Sequence, residues 1–466
     1  MNLTYKVSDK PPFLRTLVYA FQQLLAILAA TIAVPSIVGN DMSRSAALFG
    51  AGVGTLVYLL FTKFKSPVFL GSSFAFLGSM AAAFGGAATA SLGYLGLIIG
   101  ATFAGLVYVA LAVAVKFAGV DWINKIMPPV VIGPTVAIIG LSLSANAIGD
   151  LMKGSVTADK TVWITKQIDG VWQAVATTES VSVASPYIAL LCGLVTLAVV
   201  VFCSVYGGKK LKLIPFIVGI LAGYLLAAVF TVIGNVADVD ALKVIDFGKF
   251  ADMEWVPSFA FLKAFDGNYG EQNIAAYVGT IAVAYVPVAF VVFAEHIADH
   301  KNLSGIIGSD LLENPGLSRT LLGDGVGSIA GAFFGGCPNT TYGESVACVA
   351  ITGNASVVTI FVTALLCMAC SFVGPFVTFL ATIPSCVMGG VCMALYGFIA
   401  VSGLKMLQGV DLSDNKNLFV VSSILVAGVG GMVVEIGEIK ITSVACALIL
   451  GILVNLLCSK QPSLDE

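Results

Sequence analysis

The chain has 466 residues, 58% of them hydrophobic and 11% charged, with 50 Gly, 29 Phe and a mean hydropathy of +0.99. A soluble domain carries about 25% charged residues, so this composition cannot cover a folded surface facing water, and a soluble enzyme is excluded. A net charge of -3 and only two His remove the basic footprint of a nucleic-acid binder and the imidazoles of a His-rich metal centre.

Along the chain the hydrophobicity is continuous rather than alternating, as in Leu17 to Val38, Leu95 to Val115, Tyr187 to Val205 and Ile214 to Ile233. Runs of this length span a bilayer as helices, and the in-and-out pattern of an outer-membrane barrel is missing. The first run is too long for a cleavable leader and reads as the first span. With roughly twenty residues per crossing, and Gly, Pro and charge clusters as boundaries, the sequence predicts about fourteen spans. They fall near 14–37, 46–63, 67–84, 91–118, 122–148, 184–206, 211–236, 275–299, 322–336, 338–352, 355–380, 384–408, 416–434 and 438–458.

With a cytoplasmic N-terminus, most basic residues fall on the inner side: Lys6, Lys10, Arg15, Lys63, Lys65, Lys116, Lys125, Lys209, Lys210, Lys212, Lys301, Arg319, Lys405, Lys416 and Lys460. Both termini are therefore expected in the cytoplasm. Two long outer loops, near 149–183 and 237–274, carry Trp163, Trp172 and Trp255, which suit a membrane interface. The second loop divides the spans into seven and seven, and an odd number per half inverts the second half, so an inverted repeat is expected.

One pair of segments supports that symmetry. Ser72-Ser73-Phe74 follows Pro67 and Gly71 in a short third span, and Thr340-Thr341-Tyr342 follows Gly335, Gly336 and Pro338 in a short tenth span. Each reads hydroxyl, hydroxyl, aromatic, and each is expected to run extended before turning helical. Half-helices that start near mid-membrane point backbone N–H groups at a substrate; the alternative is a pair of kinked helices packed for structural reasons.

Of the acids inside spans, Glu295 and Glu344 stand out, because a carboxylate at the centre of a membrane helix costs roughly 2.5 to 3.5 kcal/mol. Asp299 lies one helical turn beyond Glu295, on the same face, which makes the pair a candidate proton carrier. His296 and His300 read as packing or surface residues rather than as a shuttle. The ten Cys fall mostly in or beside apolar stretches, and the lone Cys367-Met368-Ala369-Cys370 spacing has no second pair, so no metal or other cofactor is expected. Gly50, Gly52 and Gly54 fail the dinucleotide pattern and are expected to permit close helix packing. No Walker A sequence is present, which argues against ATP-driven transport.

In Phe69-Leu70-Gly71-Ser72-Ser73-Phe74-Ala75-Phe76, Ala294-Glu295-His296-Ile297, Asn314-Pro315-Gly316-Leu317-Ser318-Arg319 and Pro338-Asn339-Thr340-Thr341-Tyr342-Gly343-Glu344, the chain resembles the nucleobase-ascorbate (nucleobase:cation symporter) transporter family, and within it the bacterial uracil permeases. The resemblance covers nearly the whole chain. It implies an all-α polytopic membrane protein of about fourteen segments in a 7+7 inverted repeat. A core domain of spans 1–4 and 8–11 (residues 1–118 and 275–380) would work against a gate domain of spans 5–7 and 12–14 (119–237 and 381–466), with 238–274 as an extracellular loop. It further implies a homodimer in the cell membrane, import of a nucleobase with a proton, and no enzymatic activity. By the same resemblance Phe74, Glu295, Gly343 and Glu344 hold the base; the one-turn spacing of Glu295 and Asp299 makes that pair the expected proton couple, and Gln22, Gln23, Ser73, Tyr342 and Ser345 are the candidates for supporting the pocket.

The chain departs from the family pattern in three places. Gln22-Gln23 replaces a frequent Gln-His, Asp299 stands where the uracil permeases carry His, and Ser345, Ala347 and Thr352-Gly353 follow Glu344 in place of the usual residues. The competing readings are a xanthine or other purine permease of the same family, and an anion transporter or channel on a similar scaffold. The midplane acids oppose the second of these.

Overall fold

The computed structural model describes residues 3–119, 127–168, 171–208, 211–436 and 439–458. Lys125, Lys209, Lys210 and Lys460 from the inner basic set lie outside the described residues, as do the side chains of Trp163 and Trp172. The chain is mainly helical. In order, it forms α1 (Phe13–Val38), α2 (Arg44–Phe61), β1 (Leu70–Ser72), α3 (Leu77–Gly85), α4 (Ala90–Ala118), α5 (Pro129–Ser142), α6 (Ser144–Leu151), β2 (Thr157–Ile168), β3 (Val171–Ser182), α7 (Pro186–Tyr206) and α8 (Pro215–Ala237). It continues with α9 (Ala260–Ala264), α10 (Ile274–Ile307), α11 (Leu317–Gly335), β4 (Asn339–Thr341), α12 (Gly343–Thr352), α13 (Val357–Cys370), α14 (Gly374–Thr382), α15 (Ser385–Met406), α16 (Asn415–Val429), β5 (Val434–Ile436), β6 (Ile439–Ile441) and α17 (Ser443–Cys458).

Among the described residues, eight helices are long and apolar enough to cross a membrane, and α13 with α14, bent by 83°, would make a ninth. The helix ends follow local chemistry. Ser43 caps α2 by accepting the Ala46 N–H at 3.2 Å, Thr89 caps α4 through Leu92, and Asn273 caps α10 through Ala276. α10 is longer than the 275–299 read from hydropathy. Its polar last turns stay helical until Gly308 stops it at φ 69°.

The chain divides into two compact units, one of Met1–Ser144, Glu254–Val377 and Leu395–Glu466, the other of Ala145–Met253 and Thr378–Ala394. Within the smaller unit, β2 and β3 make an antiparallel hairpin from Thr157↔Ser182 to Ile168↔Val171, inside the segment 149–183 that the sequence reads as an outer loop. In the same unit α7 and α8 pack through glycine: a Cβ at Gly219 would fall 2.9 Å from the Thr196 carbonyl oxygen.

The larger unit is built on a closer contact. A Cβ at Gly50 on α2 would meet the Gly331 carbonyl of α11 at 2.4 Å, and one at Gly54 would meet the Gly327 carbonyl at 2.8 Å. Gly52 faces α13 instead, 2.7 Å from the Ala364 carbonyl. These glycines bring helix backbones together. The space between α2 and α11 admits Asn339, whose Nδ2 donates to the Gly50 carbonyl at 3.1 Å and whose N–H reaches Ser328 Oγ at 3.0 Å. Outside the spans, Asp266 accepts from the Ser91 hydroxyl and, at 2.9 Å, from the Asn268 N–H. Those bonds hold its carboxyl below the usual carboxylate range.

Candidate functional site

Two short extended segments cross in the interior of the larger unit. β1 pairs antiparallel with β4 through Leu70↔Thr341, Gly71↔Thr340 and Ser72↔Asn339. Two bonds extend the ladder: the Ser73 N–H donates to the Pro338 carbonyl at 2.9 Å, and the Tyr342 N–H donates to the Phe69 carbonyl at 3.1 Å. Every strand residue is buried. Thr55 of α2 secures β1 by bonding both the N–H and the carbonyl of Leu70, at 2.9 and 3.1 Å. From one end of the ladder the chain turns through Phe74–Phe76 into α3, and from the other end it turns at Tyr342 into α12. The expected extended-then-helical course is present in both segments.

The antiparallel pairing fixes what stands at each helix start. Phe74 begins the first turn before α3, with its ring edge-on to Tyr396 at 6.0 Å. Gly343 and Glu344 form the first turn of α12, where backbone N–H groups have no helical acceptor. Gly343 is open, and a Cβ there would lie 3.8 Å from Asp299 Oδ1. Glu295 and Asp299 approach from α10 as half-buried side chains, and the Asp299 Oδ2 accepts the Thr341 hydroxyl at 2.7 Å. Glu295 interacts electrostatically with Asp299, Glu344 and Asp324. The acids expected to matter are thus gathered at the start of α12. Glu295 lies within α10.

The five supporting residues take different places. Ser345 Oγ accepts from the Gln23 side-chain amide and, at 3.0 Å, from the Phe69 N–H, which ties α1, the approach to β1 and the start of α12 together. The Tyr342 hydroxyl donates to the Ser72 carbonyl at 2.9 Å. Gln22 Oε1 and Ser73 Oγ are buried with no hydrogen-bond partner among the described residues, an arrangement that suits a polar guest.

One cluster was not foreseen. His296 and His300, the only two histidines of the chain, are fully buried with rings stacked at 4.0 Å. His296 Nδ1 lies 2.7 Å from Asp324 Oδ2, and its Nε2 lies 3.0 Å from Thr320 Oγ1. His300 Nδ1 donates to the His296 carbonyl at 2.8 Å, while Nε2 meets the Tyr58 hydroxyl at 2.6 Å, which also bonds Ser66 Oγ at 2.7 Å. His300 is covered by α2 through Tyr58, so of the two readings, packing or surface, it is the packing one that holds. Asp324 is a buried acid inside a span, and Leu322-Gly323-Asp324-Gly325 was the readable signal.

Half-buried carboxyls gathered at a helix start inside a many-helix apolar chain define a multi-pass membrane transporter. Residues 14–437 match the model of the Permease family, and the chain belongs to that family, whose members are transporters rather than enzymes. Similar proteins include the uracil permeases of Bacillus caldolyticus (38% identical, over 99% of this chain and 96% of that one), Bacillus subtilis (36%, 97% and 94%) and Escherichia coli K12 (32%, 97% and 93%). Among solved structures, the transmembrane domain of the cyanobacterial bicarbonate transporter BicA superposes with a TM-score of 0.61 at 15% identity. That match covers 98% of this chain and 100% of that one. SLC26A9 gives 0.64 at 12% identity, over 96% and 65%. These two share the fold.

Proposed function

We propose that the protein imports uracil together with a proton by alternating access. The observation that carries this reading is the start of α12, where the open Gly343 backbone and Glu344 face Glu295 and Asp299 from α10. Uracil presents N–H and C=O groups alternately along a planar edge. Carboxyl groups meet the N–H donors, backbone N–H groups meet the carbonyls, and Phe74 offers an aromatic face. The uracil permeases among the relatives support that choice of base.

In this reading, protonation of Glu295, shared with Asp299, neutralises the site and favours binding; deprotonation in the cytoplasm releases the base. A core of residues 1–118 and 275–380 rocks against a gate of 119–237 and 381–466. The eight long helices, the bent α13–α14 pair, the shorter apolar helices after β1 and β4, α16, α17 and the Gly-rich α11 fit fourteen crossings, seven on each side of the loop 238–274. Both termini are cytoplasmic, and the protein acts as a homodimer. One proton moving down about 100 mV supplies roughly 2.3 kcal/mol, and a pH unit adds about 1.36 kcal/mol, enough for several-hundred-fold accumulation.

A purine such as xanthine shares the imide-like edge and is the second reading, favoured by the changed residues Ser345 and Gln23 beside α12. Titration calorimetry of the purified protein with each base tests the choice. Uracil binding that Glu344→Gln weakens supports the proposal; tight xanthine binding with none for uracil refutes it.

A further inference from the structure

The His296–Asp324–Thr320 cluster has a property that the carboxyls facing the substrate lack: both charge states of the imidazole find partners. With Asp324 ionised, its Oδ2 at 2.7 Å accepts from Nδ1, which then carries a proton. Thr320 Oγ1 lies 3.0 Å from Nε2 and also 3.0 Å from the Leu317 carbonyl. With its proton on the Leu317 carbonyl, the Thr320 hydroxyl accepts from a protonated Nε2, and His296 is an imidazolium paired with Asp324. With its proton turned to Nε2, the same hydroxyl donates to a neutral imidazole. The switch is one rotation of a hydroxyl group. Asp324 Oδ1 is buried without a partner among the described residues, so the carboxylate has unmatched negative charge that a second proton on His296 offsets.

The groups around the cluster connect it to the candidate site. From α4, the Tyr108 ring faces His296 at 6.3 Å; from α2, Tyr58 reaches His300; and along α10, Glu295 and Asp299 flank it. Asp324 acts electrostatically on both Glu295 and Asp299, and Glu344 of α12 acts on the same two. A charge gained or lost at His296 is therefore felt by the acids at the start of α12.

We propose that His296, held by Asp324 and switched by Thr320, is a proton-binding site of the transport cycle, separate from the carboxyls that face the substrate. This rests on the proton-coupled reading above. Thr320 is then a positioning residue, and its hydroxyl rather than its bulk is what the cycle uses.

The test compares wild type, Thr320→Val and Thr320→Ser in proteoliposomes, reading uracil uptake against external pH and uracil counterflow at equal pH on both sides. Counterflow reports folding and binding without a proton gradient. Valine removes the acceptor of a charged N–H, the stronger of the two alternative bonds. Thr320→Val is therefore expected to keep counterflow while its half-maximal uptake moves to more acid pH by about one unit, a tenfold change in proton affinity. Thr320→Ser restores the wild-type profile. An unshifted profile in Thr320→Val with intact counterflow overturns the inference and leaves coupling standing, whereas wild-type uptake indifferent to the gradient overturns the coupled reading itself. Should Thr320→Val not fold, infrared spectra of labelled histidine in a His300→Asn protein decide. Imidazole bands that change between about pH 5 and 8 support the site, and bands that stay constant overturn it.

Discussion

Gly71→Ala tests whether the strand crossing holds the site in place. A Cβ at Gly71 would stand 2.3 Å from both Cε2 and Cζ of Tyr342 and 2.8 Å from its hydroxyl oxygen. Carbon atoms pack favourably at about 3.5–4.0 Å, so the ring has to retreat by roughly 1 Å, and it is buried with 4% exposure. Overpacking of this kind costs about 1–3 kcal/mol. Movement of the ring also breaks the hydroxyl bond to the Ser72 carbonyl, and a buried carbonyl left unpaired adds about 1–3 kcal/mol. Together these amount to about 2–6 kcal/mol, against a typical total stability of about 5–15 kcal/mol. The assay is thermal unfolding of the purified protein with uracil titration alongside, for Gly71→Ala, Tyr342→Ala and the pair. Gly71→Ala should melt well below wild type, and the double variant should be less destabilised than the sum of the singles by about 0.5–3 kcal/mol. A Gly71→Ala protein that melts and binds like wild type would refute the packing account.

Three further outcomes are expected. Ser345→Ala removes the acceptor shared by Gln23 and the Phe69 N–H, leaving two buried donors unpaired, and should lower stability by about 2–6 kcal/mol in the same unfolding assay. Glu344→Ala should abolish uracil binding in a folded protein; Asp299→Asn, which can still accept the Thr341 hydroxyl, should keep binding and alter the pH profile of uptake, and normal uptake by Glu344→Ala would contradict the site. Asp266 has a folded-state carboxyl pKa below its unfolded value, so the stability it lends the Gly86–Ser91 turn is present above the ordinary carboxylate range and is lost as pH falls through the folded value. Protection from hydrogen exchange in that turn, corrected for the intrinsic exchange rate at each pH, should fall on acidification, and Asp266→Ala should show the same loss of protection at neutral pH.

The strand crossing was legible because Gly71, Pro67, Gly336 and Pro338 break the helical pattern around two hydroxyl pairs, a local signal that needs no knowledge of what packs nearby. Glu295 and Glu344 were legible because a carboxylate in an apolar run is conspicuous. Asp324 was passed over although it lies in just such a run, and His296 was taken for a packing residue, because only the approach of α10 to α11 makes them a pair 2.7 Å apart. The β2–β3 hairpin was read as a loop although Asp169-Gly170 lies between β-branched stretches, a strong hairpin signal, because its mixed polar sequence interrupts the continuous apolar runs that mark spans. The N-terminal contacts were invisible for another reason. Thr4 and Tyr5 bond the Gly353 carbonyl at 2.8 and 3.2 Å, a contact between distant parts of the chain with no side-chain pattern to announce it.

The central claim is tested most directly by radiolabelled uracil uptake into proteoliposomes under an inward proton gradient, repeated with a protonophore and with excess unlabelled xanthine. Uptake that follows the gradient, collapses with the protonophore and survives xanthine is the predicted result. Absence of uracil uptake, or uptake that the gradient does not affect, would contradict it.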